Sequence, residues 1–103
     1  MIIYSVTITV RKDIESDWLN WMKENHIPDV MKTGYFLEWQ MQKLLSSEVS
    51  VDEMTYVINY FALSLDLYKL YIENEAPRLQ NEHNQKFNGK YKASRAVYSL
   101  ISK

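Results

Sequence analysis

A chain of 103 residues, 47% apolar and 24% charged, has material for one hydrophobic core and no room for a second, so residues 1–103 read as a single domain. A formal net charge of -1 argues against a general nucleic-acid binder, which needs a basic face to neutralise phosphates. The absence of cysteine removes disulfide, thiolate-metal and thiol-nucleophile chemistry and fits a reducing, cytoplasmic setting, while no apolar run approaches the ~20 residues of a membrane span.

Residues 2–11 alternate, with Tyr4, Val6, Ile8 and Val10 opposed to Ser5, Thr7, Thr9 and Arg11, the pattern of a half-buried strand rather than a leader peptide. Asp13 and Ser16 can cap the helix that follows, in which Ile14, Trp18, Trp21 and Met22 recur at helical spacing. At that spacing the Trp18/Trp21/Met22 group is a core stripe rather than a box for a flat cofactor. Pro28 predicts a break or kink near His26, and Gly34 a stop, so the helical region covers about 13–32.

Alternation returns over 35–45, with Tyr35, Leu37, Trp39 and Met41 opposed to Phe36, Glu38, Gln40 and Gln42. A polar, acidic connection over 46–53 leads to a strand at 54–63, which predicts a hairpin. Ser64 can cap a helix over 65–87 that Pro77 divides near Glu75 and Asn88-Gly89 ends. A last strand over 90–101 is expected to turn Ala96, Tyr98 and Leu100 toward the helices.

The order β-α-β-β-α-β with right-handed crossovers predicts an α+β, ferredoxin-like split βαβ fold, an antiparallel four-stranded sheet of order 4-1-3-2 with both helices on one face. The opposite face then carries Thr7, Gln40 and Asn59, and with them Arg95 and Val97. Hydroxyls, amides and one Arg suit a wet cavity between two sheets better than a dry interface, which makes Thr7, Gln40, Asn59 and Arg95 the candidate ligand-binding residues. An enclosed guanidinium keeps its charge and needs acceptors, so a carboxylate or phosphate ligand is expected at Arg95.

Antiparallel helices would put His26 and His83 at opposite ends of the domain, so they are not expected to share a metal. His83 reads as an interior histidine, hydrogen-bonded beside Leu79 and Phe87. His26, at the helix break, can face a pocket mouth and is the candidate catalytic residue. Lys86, Lys90, Lys92 and Arg95 also suit an edge strand that resists aggregation. With only Gly34 and Gly89 a phosphate-cradling GxGxxG loop is impossible, and no residue set indicates a metal or cofactor.

Three segments carry a family resemblance: Met1-Ile2-Ile3-Tyr4, Trp18-Leu19-Asn20-Trp21-Met22 continuing to His26-Ile27-Pro28-Asp29-Val30, and Thr55-Tyr56-Val57-Ile58-Asn59-Tyr60. Glu75-Ala76-Pro77-Arg78-Leu79 with His83, Phe87, Gly89 and Lys90 adds a fourth. With these the chain resembles the uncharacterised bacterial family called domain of unknown function 4286. The resemblance implies a fold shared with the dimeric α/β-barrel superfamily, in which two sheets pack face to face, and implies no activity.

The leading expectation is a homodimer whose paired sheets enclose a pocket for a small organic molecule. One alternative is a cofactor-free oxygenase or isomerase of the dimeric α/β-barrel type, with His26 as general base and Arg95 stabilising a developing anion. The other is a protein-interaction domain without catalysis. Whether the chain is an enzyme stays open on its sequence, and neither nucleic acid nor membrane is an expected partner.

Overall fold

The computed structural model describes residues 1–46 and 51–103, so the middle of the predicted 46–53 connection lies outside the described residues. Strand β1 spans Ile2–Arg11, and a 3-10 turn at Lys12–Ile14 leads into α1, Glu15–Trp21. A π turn at Met22–His26 joins α1 to α2, Ile27–Lys32. The strands β2, Glu38–Lys43, and β3, Glu53–Ala62, precede α3, Leu65–Asn74, α4, Ala76–Phe87, and β4, Tyr91–Ser99. The strands form one antiparallel sheet of order β2-β3-β1-β4, which is the expected 4-1-3-2 read from its other edge.

The expected kink near His26 is this π turn, and Pro28 explains it. Proline has no amide hydrogen and its ring collides with the carbonyl one turn back, so the helix widens and the Ile27 amide reaches the Met22 carbonyl five residues earlier. One extra residue in the turn re-aims the apolar stripe. Trp18 before it, Met22 at its start, and Ile27 and Val30 after it are buried, each at 1% exposure or less. Asp13 does not cap α1 as the spacing suggested. The helix begins through the 3-10 turn, with Ile14 at the cap, and Asp13 pairs with Arg11 at 2.6 Å.

Ser64 caps α3 as expected, its Oγ accepting the Leu67 amide at 3.2 Å. Gly34 and Gly89 end the helical regions with φ of +83° and +75°, a conformation that side chains disfavour. Tyr4, Val6, Ile8 and Val10 face α1–α4 across one core, joined there by Ile58, Tyr60 and Leu79.

Two face assignments are corrected. In β4, Val6 pairs with Arg95 and Ser5 with Ala96, so Arg95 shares the helix side with Val6, and Ala96 and Tyr98 lie on the open side. This strand mixes apolar and polar residues on both faces, with Ala93 and Val97 on one and Ala96 and Tyr98 on the other, so alternation alone does not fix its register; pairing with β1 does. In the 35–45 segment the strand starts at Glu38. Phe36, expected on the open side, is buried ahead of it against Tyr4, Tyr60 and Tyr71, while Leu37 is exposed.

Candidate functional site

The two histidines, expected at opposite ends of the domain, lie together, with ring centroids 5.7 Å apart. The first helical region runs on through the π turn to Lys32, as expected, so His26 lies within it rather than at its end, facing α4. His83 projects from α4 into the same space and is buried. Its Nε2 accepts the indole N–H of Trp18 at 2.9 Å, and its ring stands edge-on to Tyr91 at 4.3 Å. The expectation of an interior, hydrogen-bonded histidine holds for His83, with Trp18 as its partner.

Both rings line a cavity of about 30 Å³ between the sheet and the helices. Its polar wall comes from His26, His83, Gln80, Arg95 and the tyrosines Tyr4, Tyr60, Tyr71 and Tyr91; the rest is apolar, including Met22, Val30 and Ile58. Among the described residues no aspartate or glutamate contributes to it. A space of this size admits about one or two waters. Gln80, Tyr91, Ala93 and Arg95 also line a shallow outer groove of about 580 Å³ along α4 and β4, where Asn81, Asn84 and Asn88 add amides. Arg95, exposed, thus stands between the inner cavity and an open, amide-lined groove.

Burial and charge set the protonation of this cluster. Burial pushes the pKa of each histidine from 6.5 to about 4. Arg95 adds to the effect in both; Asp29 opposes it at His26, and His26 reinforces it at His83. Both rings are therefore neutral at neutral pH. The Tyr4 hydroxyl is pushed up by burial, partly offset by Arg95 and Gln80. Tyr60 and Tyr71 are pushed up by burial more strongly and stay protonated. Among the described residues Arg95 forms no ion pair with a carboxylate.

The five candidates read from sequence divide between two faces. His26 and Arg95 meet at the cavity, whereas Thr7, Gln40 and Asn59 lie on the open side of the sheet. There Gln40 pairs with Asn59 and Thr7 with Val57, and the Asn59 amide donates to Gln42 at 3.1 Å. Sequence reasoning missed Tyr4, Gln80 and Tyr91 as site residues. Tyr4 was legible only as a core residue of β1, and no local signal distinguishes a core tyrosine from one whose hydroxyl borders a cavity. No three potential metal ligands of the His, Cys, Asp and Glu types come together among the described residues, and no helix there is long and apolar enough to cross a membrane.

Solved structures share the fold. An ethyl tert-butyl ether D (EthD) family protein from Bacillus halodurans superposes with a TM-score of 0.71 at 9% identity, over 96% of this chain and 98% of that one. The heme-degrader MhuD from Mycobacterium tuberculosis, with two hemes bound in its active site, gives 0.70 at 12% identity, over 100% and 98%. A dimeric ferredoxin-like protein from an uncultured marine organism gives 0.67 at 12% identity, over 100% and 97%. At such identities these likenesses show the α+β, ferredoxin-like fold alone. No curated protein matches the sequence. A family model does, over residues 1–101, and the chain belongs to that family, described as Domain of unknown function (DUF4286).

Proposed function

We propose that the protein binds a small organic anion in the cleft between its sheet and helices, and that it does so as a homodimer joined through the open sheet face. The observation that carries the reading is Arg95, a cation without an ion pair among the described residues, at the mouth of a cavity whose polar wall holds imidazoles, phenols and an amide but no carboxylate. A cation in such a setting is best satisfied by an anion. The reading moves the pocket from between paired sheets into each protomer, because His26 and Arg95 lie on the helix side. Thr7, Gln40 and Asn59 then belong to the self-association face, a role that fits their half-buried or amide-rich surroundings and the dimeric description of a neighbour.

The inner cavity is far below the ~300–1,000 Å³ of drug-sized ligand sites, so the anionic head enters it and the remainder of the ligand lies in the outer groove. A porphyrin does not fit it as folded. An acid-base enzyme with His26 as base finds less support, since a ring held at a pKa of about 4 is a weak acceptor of protons at neutral pH.

A thermal-shift screen of small mono- and dicarboxylic acids, run on the parent and on Arg95→Ala, tests the proposal. A ligand at 100 times its Kd adds about 2.7 kcal/mol to the stability of the state that binds it. At least one acid is expected to raise the Tm of the parent and to lose that effect in the variant. A screen without a hit, or an equal shift in both proteins, overturns the reading.

A further inference from the structure

The two imidazoles face one cavity from different elements, and their nitrogens are not equivalent. The indole of Trp18 can only donate, so the His83 Nε2 that accepts it carries no hydrogen, and the neutral ring has its hydrogen on Nδ1. His26 presents the opposite case. Its Nδ1 is buried without a hydrogen-bond partner. With its hydrogen on Nε2 the ring leaves a bare lone pair at Nδ1 rather than an orphaned donor. Adding a second proton would create that orphaned donor and a buried charge together.

The groups around His26 agree. Tyr4 on β1, Tyr60 on β3, Tyr71 on α3, His83 on α4, and Tyr91 and Arg95 on β4 share its cavity, and none of them is a carboxylate. Among the described residues Asp29 on α2 is the carboxylate that acts on the ring, and burial outweighs it. The cavity therefore offers hydrogen-bond donors and a cation, and it lacks an anion to hold a histidinium in place.

We propose that His26 is a neutral hydrogen-bond donor to the bound anion, presenting Nε2–H to a carboxylate whose charge is met by Arg95. This inference rests on the anion-binding reading above and specifies the chemistry of recognition: the ligand is a carboxylate taken up without a proton. Neutral donors discriminate by position rather than by charge, and they leave binding insensitive to pH where the ligand itself stays ionised.

Long-range 1H–15N correlation spectra of the ligand-free protein at neutral pH give the first test, since they separate the two tautomers and the imidazolium. His26 as Nε2–H and His83 as Nδ1–H are expected; Nδ1–H or a charged ring at His26 overturns the inference whatever binds. The second test uses acetate as the probe, titrated into the parent, His26→Leu and His26→Gln. Loss of one neutral hydrogen bond predicts about tenfold weaker binding in His26→Leu, and the amide of His26→Gln is expected to recover most of it. Between pH 6 and 8 the acetate affinity of the parent is expected to stay flat. A rise approaching tenfold per unit of acidification would show uptake of a proton and overturn the donor role while leaving the anion site standing. Absence of acetate binding in the parent overturns both.

Discussion

Trp18 and the two histidines show how little the identity of a residue says about its charge. Each histidine has its pKa lowered to about 4 against an unfolded value near 6.5. Between those values the unfolded chain binds more protons than the folded one, so their contribution to stability is fully present above about pH 6.5 and is lost as the pH falls toward 4. Each histidine contributes a slope of up to about 1.4 kcal/mol per pH unit in that window. Urea midpoints measured at pH 7 and pH 5 are expected to fall on acidification, and to fall less in His83→Gln. At the same scale, Trp18→Phe keeps most of the ring but removes the indole N–H and leaves a buried Nε2 unsatisfied. A loss of about 1–3 kcal/mol is expected in equilibrium unfolding, with the His83 tautomer no longer fixed.

At the scale of elements, the chain is punctuated by a few positions whose chemistry is local. Ser64 accepts a first-turn amide of α3, and Ser64→Ala is expected to cost about 1 kcal/mol. Gly34 sits at φ +83° with nothing within 4 Å of where a Cβ would stand, so Gly34→Ala meets no steric obstacle and its cost is conformational, about 1–2 kcal/mol. Denaturation curves with unchanged slope and lower midpoints would confirm both, and a parent-like midpoint for Gly34→Ala would contradict the backbone argument. The π turn works differently. It comes from Pro28, yet its effect is felt in packing, because the extra residue lets Ile27 and Val30 enter the core while His26 remains at the cavity wall.

For the whole molecule, the open sheet face is the feature that self-association would explain. Ser5 is buried there and Thr7, Thr9, Val57, Asn59 and Phe61 are half-buried, while the described helices pack on the opposite face. A domain of this length covers only part of its apolar surface by itself, which favours pairing. Light scattering coupled to size exclusion is expected to give twice the protomer mass, and Phe61→Arg, which places a charge on the proposed contact, to give the protomer mass. A parent that elutes as a protomer at tens of micromolar would rule out the pairing.

The elements, their order and the sheet topology were legible in the sequence because they rest on local signals. These are the alternation of Tyr4 to Val10, the cap at Ser64, the proline-bearing breaks near His26 and Glu75, and the glycines at 34 and 89. Thr7, Gln40 and Asn59 were placed correctly on the open face for the same reason, since they lie within strands whose period-two alternation sets their faces. The site was not legible as a site. Whether Arg95 faces the helices depends on its pairing with Val6, and an edge strand with apolar residues on both faces does not determine that register from within. Whether His26 meets His83 depends on how the π turn aims the His26 ring and on how α4 crosses the first helical region, a relation between segments nearly sixty residues apart. Local chemistry thus determined the parts, and only tertiary packing decided that a histidine pair and an arginine share one cavity and that burial keeps both rings uncharged.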